Sequence, residues 1–480
     1  MSRMTATAAP PPSAAANPLL GEAPPSPAGP APDDGRRAAL PPLVRMARPL
    51  VTLRISVRQL SFLFRARRLY GETFTIRGAF GHDVVFASHP DHVKSLFTAK
   101  SELVHSTVGE SPLRPIVGPN SILTSLGERH MRQRKLLLPP FHGEAVERYV
   151  AMIAEVAERE IDSWPVGRPF ALGPRMQAIT LDVIMSGIFG IDGTPPPGSA
   201  EQGLRETILR LSALSATPLA KAAEIINIRS EEPVGIVRRL LAELDRHLYA
   251  LIAARRAASE QERTDIFSLL LAARDEAGEP LTDHELRDEL ISLVLAGHET
   301  TANSLAWAFE RLLRNPAAYD RLREEVRASD ADAIGAADAW IEATIHETMR
   351  NRPVVPITGR RVTVPWQLGE HRLPGDTHVL ISIALLHHRE DVYPEPYAFR
   401  PERFLGVKPG TYTWVPFGGG IRRCLGATLA MAEQRVVLRA VARRTDMVAP
   451  DPRPERLVHR NVTMIPARGA AVVVTSRRAA

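Results

Sequence analysis

The sequence predicts a mainly α-helical protein with small β-sheets. Residues 144–277 read as successive amphipathic segments separated by Pro or Gly, which indicates a series of packed helices. Residues 282–314 form a longer helical stretch, and short strand-like runs lie near both ends of the chain. With 480 residues and 44% hydrophobic content, the chain can bury a large core.

Composition narrows the class of protein. A single cysteine excludes an internal disulfide framework and suits a reducing compartment. No stretch reaches the roughly 18 to 20 apolar residues of a membrane span, and the start lacks the apolar region of a secretory signal. The net charge of +6 is spread along the chain, which argues against a nucleic-acid binder. We expect a cytoplasmic protein without an integral membrane segment.

The N-terminal region divides at about residue 45. Residues 1–45 are rich in Pro and Ala and predict a disordered segment, whereas residues 46–480 form a single domain. Residues 43–70 are apolar and arginine-rich and predict the first helix of an enzyme, in which Pro49 interrupts the helical pattern. A helix that lies on a membrane surface is the alternative, because it would have a similar composition. Residues 73–77 and 84–87 predict a hairpin with Gly78 and Gly81 in its turn.

The next informative stretch, residues 127–141, is a basic helix. His130 and Arg134 are four residues apart and share one helix face, where both can donate to an anion.

The long helix of residues 282–314 starts with a capping box, Thr282-Asp283-His284-Glu285. Its apolar middle is interrupted by the run Ala296-Gly297-His298-Glu299-Thr300-Thr301. A glycine inside a helix calls for a reason such as a close-packed neighbour. A Thr hydroxyl there can bond the carbonyl four residues back and open a small polar pocket.

Three further segments precede the C-terminal motif. Residues 341–350 predict a helix on which Glu347 and Arg350 can pair. Arg360 and Arg361 each offer a cation for an anionic ligand, and the spacing does not decide between them. Residues 376–404 predict a polar, proline-rich meander, and a closing hairpin is predicted at residues 462–474.

The only cysteine, Cys424, lies in the loop Phe-Gly-Gly-Gly-Ile-Arg-Arg-Cys-Leu-Gly, residues 417–426. Its consecutive glycines let a flat group lie against the backbone. A helix is predicted behind the cysteine, and its N-terminus would favour the thiolate form that ligates iron. Arg422 can meet a carboxylate in a bidentate way.

This loop resembles the haem-binding loop of the cytochrome P450 family, Phe-x-x-Gly-x-Arg-x-Cys-x-Gly. Each fixed position matches, at Phe417, Gly420, Arg422, Cys424 and Gly426. The resemblance covers about residues 46–480 and implies the cytochrome P450 fold, with the haem between a long central helix and the helix after the Cys loop. It implies heme b (iron protoporphyrin IX) as cofactor and Cys424 as the ligand of its iron.

The resemblance also assigns roles to other residues. Glu299 and Thr300 would be the acid and the alcohol of a proton relay, catalytic together with Cys424, and His298 would be incidental. Glu347, Arg350 and Arg403 would form a buried, structural charged triad. The residues implied to bind the cofactor are His130, Arg134, Ala296, Gly297, Thr300, Arg360 (with Arg361 as its alternative), Phe417, Gly418, Arg422, Cys424 and Gly426.

The function implied by the resemblance is insertion of one oxygen atom from O₂ into an apolar organic substrate. Two alternatives are a peroxide-driven haem enzyme, which the acid–alcohol pair argues against, and a non-catalytic haem or ligand-binding protein. The segments expected to line the substrate pocket are residues 102–122, 204–234, 353–358 and 461–466, which include Val355, Ile357, Val462, Met464 and Ile465.

Electrons would come from another protein, because the chain contains no recognisable flavin or nicotinamide domain. An acidic ferredoxin-type partner would dock on a basic face on the cysteine side. The residues expected on that face are Arg132, Lys135, Arg423, Arg435 and Arg439.

Overall fold

The computed structural model describes residues 17–479, apart from 18, 33–36, 78–82, 108–112, 192, 194, 216–231, 259–262, 330–338 and 461. The predicted turn glycines Gly78 and Gly81 lie outside the described residues, as do residues 1–16 of the segment predicted to be disordered. Parts of the expected substrate-lining segments, 108–112, 216–231 and 461, are outside as well.

Helices dominate the described part of the chain. They are α1 (Arg48–Tyr70), α2 (Pro90–Thr98), α3 (Arg114–Val117), α4 (Gly127–Leu137), α5 (Glu144–Asp162), α6 (Leu172–Phe189), α7 (Ala200–Ser215), α8 (Gly235–Ala257), α9 (Ile266–Ala272), α10 (Asp283–Leu312), α11 (Pro316–Ala328), α12 (Ala339–Asn351), α13 (Ile383–His387) and α14 (Ala427–Arg444).

The strands are short. They are β1 (Ala28–Pro30), β2 (Phe74–Arg77), β3 (Asp83–Ala87), β4 (Val104–Ser106), β5 (Pro169–Ala171), β6 (Ile357–Val362), β7 (Trp366–Leu368), β8 (His371–Leu373), β9 (Thr377–Ser382), β10 (Thr445–Val448), β11 (Leu457–Arg460), β12 (Thr463–Pro466) and β13 (Ala471–Arg477).

Four small sheets result, in the orders β2-β3-β9-β6-β4, β1-β7-β8, β10-β13-β5 and β11-β12. The predicted first hairpin is present as the antiparallel pair of β2 and β3. The predicted closing hairpin at residues 462–474 is wrong, because its two halves belong to different sheets. β12 pairs with the preceding β11, and β13 pairs with β10 and β5. Alternation alone identifies strands, but it does not select their partners.

The long central helix α10 agrees with its predicted bounds. Thr282 caps it: the Thr282 hydroxyl accepts from the Glu285 N–H, and the Glu285 carboxylate accepts from the Thr282 N–H. The helix is buried along most of its length and packs most extensively against α6. It also contacts α14, which begins directly after the Cys424 loop. The fold therefore holds the central helix and the cysteine loop in one packed core.

The first helix starts at Arg48, with Pro49 in its first turn. Pro49 does not interrupt the helix, because the first-turn N–H groups have no partner within a helix. The irregularity lies instead at Arg58, where φ is −142° and ψ is 52°.

Part of the Pro/Ala-rich segment differs from the predicted disorder. β1 pairs with β7, and the Gly21 N–H donates to the Val392 carbonyl at 2.8 Å. The Asn17 side chain donates to the Arg403 carbonyl at 2.7 Å. Proline lacks an N–H and is compatible with an edge strand, so a proline-rich segment can lie along an existing sheet without building a core of its own.

Candidate functional site

The cysteine loop is packed closely against α2. Gly420 has φ of 64°, and a Cβ atom added there would overlap the carbonyl oxygen of Phe97. A Cβ on Gly419 would overlap the Phe97 ring. The Cys424 N–H donates to the Phe417 carbonyl at 2.9 Å and closes the loop. Only glycine allows this backbone path and this approach to α2.

The Cys424 side chain is exposed, yet the protein around it desolvates the thiol enough to raise its pKa. The Gly426 N–H, Arg423 and Arg134 act in the opposite direction and lower the pKa. The sequence predicts that the helix N-terminus favours the thiolate, but α14 starts at Ala427, and desolvation outweighs the groups that lower the pKa of Cys424. A bound metal ion would supply the missing stabilisation.

Beside the loop lies a group of nitrogen donors that we term the cavity cluster: His130, Arg134, Arg360 and Arg422. Arg422 donates to the carbonyls of Ile122, at 2.9 Å, and Ser125. Arg134 donates to the Arg423 carbonyl at 2.8 Å. The His130 side chain is buried, and its Nδ1 atom has no hydrogen-bond partner.

A cavity of 310 Å³ opens onto three members of this cluster, His130, Arg360 and Arg422. Gly419 of the cysteine loop also lines it. Arg361 instead lines a neighbouring cavity together with His105 and Arg114. The strand alternation of β6 separates the two arginines, so Arg360 is the one that meets the cavity.

The cavity cluster brings several basic side chains together. Burial lowers the pKa of Arg360 to about 10, and burial together with Arg360 and Arg134 lowers the pKa of Arg422 to about 10. Burial, Arg422 and Arg134 lower the pKa of His130 to about 4. In the described part of the chain, no carboxylate forms an ion pair with Arg134, Arg360 or Arg422. A ligand carrying carboxylates would satisfy these donors, so the cluster fits the two propionates of a haem.

The central helix presents the predicted polar run near its middle. The Thr300 hydroxyl donates to the Ala296 carbonyl at 2.6 Å. The sequence predicts this bond, because a helical Thr can donate to the carbonyl four residues before it. Ala296 is exposed. Gly297 packs against Ile184 of α6, and an added Cβ would lie 3.1 Å from the Ile184 Cδ1 atom. The glycine therefore allows the close packing of α6 and α10.

Glu299 forms an ion pair with Arg460 of β11, and both side chains are largely buried. Sequence reasoning missed Arg460, because no local pattern links positions 161 residues apart. His298 is buried and contacts α6 through the Thr180 hydroxyl, 3.1 Å from its Nδ1 atom. This contact joins α10 to α6, and the incidental role expected for His298 in the chemistry stays a prediction.

The three members of the expected triad are in contact and fully buried. Arg350 makes a bidentate pair with Glu347, with N–O distances of 2.6 and 2.8 Å, and Arg403 Nε lies 3.5 Å from the same carboxylate. Arg350 also donates to the carbonyls of His387 and Pro396. Arg403 donates to the carbonyl of Glu395 at 2.8 Å. The triad joins α12 to the segment that precedes the cysteine loop.

The basic face expected for a redox partner is smaller than predicted. Arg439 is buried and donates to the Ser329 hydroxyl, so it does not belong to an exposed face. Arg132 is paired with Asp275 and Glu285 at 2.6 and 3.0 Å, which neutralises its charge. Arg435 lies 4.0 Å from Glu342. Arg423 and Lys135 are exposed, although Lys135 pairs with Glu276.

The residues expected to line the substrate pocket differ in their exposure to solvent. Met464 is buried, and its carbonyl accepts from the Trp307 indole at 2.9 Å, whereas Val462 is exposed. An apolar hollow lies between α6, α7, α8 and α10, beside the N-terminal half of the central helix. Its lining residues include Phe189, Leu204, Leu248, Leu290 and Val294.

Comparisons with known proteins agree with this geometry. The family model described as cytochrome P450 matches residues 41–472. The putative cytochrome P450 137 of Mycobacterium tuberculosis is 40% identical over 425 residues, which cover 85% of this chain and 84% of that protein. The putative cytochrome P450 135B1 of Mycobacterium bovis is 39% identical over 443 residues, 92% of each chain.

Among solved structures, the retinoic acid-bound cyanobacterial CYP120A1 superposes with a TM-score of 0.75 at 25% identity, covering 92% of this chain and all of that one. The cytochrome P450DA heme domain superposes with a TM-score of 0.76 at 22% identity, covering 92% and 99%, and supports the fold.

Fold and site define a haem monooxygenase, which is an oxidoreductase. More narrowly, this chain belongs to the cytochrome P450 family. No helix in the described residues is both long and apolar enough to cross a membrane.

Proposed function

We propose that the protein binds heme b through Cys424 and inserts one oxygen atom from O₂ into an apolar organic substrate, using electrons from a ferredoxin-type partner. One observation carries this proposal: Cys424, the only thiol of the chain, is exposed and lies two residues after Arg422. Arg422 lines a cavity together with the buried Arg360, and both can offer a cation to an anionic ligand. A haem with a thiolate ligand, when bound, supplies the activation of O₂.

The chain's own residues would hold the cofactor from three sides. His130, Arg134, Arg360 and Arg422 would donate to its propionates. Phe417, Gly418 and Gly426 would line the face next to Cys424. Ala296, Gly297 and Thr300 of the central helix would border the opposite face, where exposed Ala296 leaves room for a flat group.

Replacing the thiol tests this assignment directly. Because Cys424 is the only cysteine, Cys424→Ser should abolish the thiolate-type spectrum of the reduced carbon-monoxide complex. Cys424→Ala would serve as a second variant without a hydroxyl ligand. Survival of the wild-type spectrum in either variant, or a wild-type protein that binds no haem, would contradict the proposal.

Glu299 and Thr300 would move protons from the interior of the protein toward the substrate side of the central helix. Glu299 is adjacent to Thr300 in α10, and its ion pair with Arg460 holds the carboxylate in place. Thr300→Ala should leave haem and substrate binding intact and divert electrons to peroxide or water. Unchanged coupling of electron use to product would exclude the hydroxyl from the relay, and Thr301→Ala is the matched control.

The apolar residues of the segments expected to line the pocket, such as Val355, Ile357 and Ile465, support an apolar substrate. The apolar hollow beside Leu290 and Val294 has a volume of only about 10 Å³ and is too small to hold one. Spectral titration with fatty acids, terpenoids, steroids and polyketides tests this class. Retinoic acid joins the panel because CYP120A1 binds it. If only polar compounds perturbed the haem spectrum, an apolar substrate would be excluded.

The proposed partner is an acidic ferredoxin, and exposed Arg423 supports its docking on the cysteine side. Arg423→Glu should slow reduction by such a ferredoxin, while Arg68→Glu, an equal charge change on α1, should not. Equal rates in both variants would exclude this docking face.

We also propose a cytoplasmic location for the protein. The single cysteine supports it, and cell fractionation tests it.

A further inference from the structure

The segment of residues 118–125, which we term the clamp segment, connects the central helix to the cysteine loop. One side of it contacts the helix residues Asp288, Glu289 and Ser292. On its other side, the Ile122 and Ser125 carbonyls each accept a hydrogen bond from the Arg422 guanidinium. Residues 118–122 belong to a segment expected to line the substrate pocket, but the contacts of the clamp segment with α10 and with Arg422 have been given no role so far.

Three contacts fasten the clamp segment to one face of α10. The Asn120 N–H donates to the Asp288 carboxylate at 2.8 Å, and the Ile122 N–H donates to Glu289 Oε1 at 2.9 Å. The Ser121 and Ser292 hydroxyl oxygens lie 2.5 Å apart. Two of these three contacts use main-chain donors, so they fix the course of the backbone as well as that of the side chains.

The start of the clamp segment is shaped for this contact. Gly118 has φ of 86°, and a Cβ atom there would overlap the Asp288 carboxylate. The segment then turns back on itself, because the Ser121 carbonyl accepts from the Ser125 N–H at 2.9 Å. This turn places the Ile122 and Ser125 carbonyls where Arg422 reaches both.

Ile122 is the residue at which the two sides meet. Its N–H donates to Glu289, and its carbonyl accepts from Arg422 Nη1 at 2.9 Å. Glu289 is fully buried, its second oxygen has no partner, and desolvation raises its pKa to about 8. A buried acid with a single main-chain donor is costly to maintain for stability alone. Its position therefore calls for an explanation beyond packing.

We infer that Glu289 is a positioning residue: it holds Ile122 so that Arg422 stays in place beside the cavity. Glu289 touches neither the cavity nor Cys424 in this arrangement. It acts through one residue of the clamp segment, and Asp288 and Ser292 support the same segment on either side. This inference rests on the proposed function for the ligand that Arg422 would meet, but the clamp itself can be tested without that ligand.

The test compares backbone hydrogen exchange in full-length wild type, Glu289→Leu and Glu289→Gln, with haem bound. Glu289→Leu removes the acceptor of the Ile122 N–H and should speed exchange in residues 118–125 by about tenfold, the effect of losing one buried hydrogen bond. Glu289→Gln keeps an acceptor oxygen and should restore slow exchange. Haem transfer to an excess of an apo-haem acceptor protein should quicken about tenfold in the Leu variant and recover in the Gln variant.

The matched control is Ser304→Ala, which removes a buried hydrogen bond of the same helix, to Gln434, outside the clamp. It should leave exchange in residues 118–125 unchanged. If Glu289→Leu does not fold, Ser292→Ala removes the hydroxyl contact instead and should speed exchange in the same segment by about threefold.

Each outcome decides the inference. Wild-type exchange in residues 118–125 of Glu289→Leu, or a Gln variant as fast as the Leu variant, would overturn it. Faster exchange without faster haem transfer would leave Glu289 as a purely structural residue and overturn its positioning role. A wild-type protein that binds no haem would instead contradict the proposed function, and the exchange comparison on that protein would still accept or reject the clamp.

Discussion

The triad around Glu347 and the cavity cluster around Arg360 place buried arginines in opposite electrical surroundings. Arg350 meets a carboxylate in two hydrogen bonds and fills its remaining donors with main-chain carbonyls. Arg360 is similarly buried, but its bonds go to the adjacent Gly359 carbonyl and, at 3.5 Å, to the Thr358 hydroxyl. Burial lowers the pKa of Arg360, whereas the triad supplies its own counter-charge.

The difference indicates how each region contributes to function. A buried charge with an internal partner stabilises the fold, and removing one member leaves the other uncompensated. A buried charge without a partner destabilises the empty protein and becomes favourable only when an anionic ligand arrives. This contrast supports our proposals that the triad stabilises the framework of the cysteine loop and that the cavity cluster binds an anionic ligand.

The largest effect is expected in the triad. Arg350→Met removes the bidentate partner of the buried Glu347 carboxylate and leaves it the Arg400 N–H and, at 3.5 Å, Arg403 Nε, which should cost about 3 to 5 kcal/mol of unfolding free energy. Denaturant unfolding and haem occupancy of the soluble fraction measure this. The control is Glu342→Ala, a half-exposed acid on the same helix, which should cost about 0.5 kcal/mol. A soluble Arg350→Met variant of wild-type stability would show that the triad does not support the fold.

The cavity cluster should respond with the opposite sign in the empty protein. Arg360→Met should leave the stability of the apo-protein unchanged or higher, because it removes a desolvated, unpaired charge. The same change should speed haem loss by about 10-fold to 100-fold. Arg361→Met, which alters the neighbouring cavity, is the control. A fall in apo-protein stability like that of the triad variant would remove the distinction between the two regions.

A smaller effect follows from His130, whose pKa is lowered from 6.5 to about 4. Because the folded value lies below the unfolded one, this side chain's contribution to stability is present above about pH 6.5 and is lost as the pH falls toward 4. Between pH 7 and 4.5 the apo-protein should lose about 2 kcal/mol more than His130→Gln. Denaturant unfolding across this range measures the difference.

Bound haem should flatten this pH dependence, since a nearby carboxylate would favour protonated His130. Identical pH profiles for the wild type and His130→Gln in the apo-protein would contradict the assigned pKa. An equal pH dependence with and without haem would place the propionates away from this residue.

Local sequence determined the features that depend on neighbouring residues. The capping box at Thr282, the hydrogen bond of Thr300 to Ala296, and the pairing of Glu347 with Arg350 each join residues within one helical turn. The spacing of residues within the cysteine loop is sufficient to indicate the family. Helical periodicity and short-range hydrogen bonding set these features, so they can be inferred from a window of a few residues.

Tertiary structure decided what depends on residues far apart in the chain. It assigned the cavity to Arg360 instead of Arg361, buried Arg439, and paired Glu299 with Arg460. It also separated the halves of the predicted closing hairpin and ordered part of the proline-rich segment. Burial and charge pairing depend on which elements pack together, and a linear pattern carries no record of that packing.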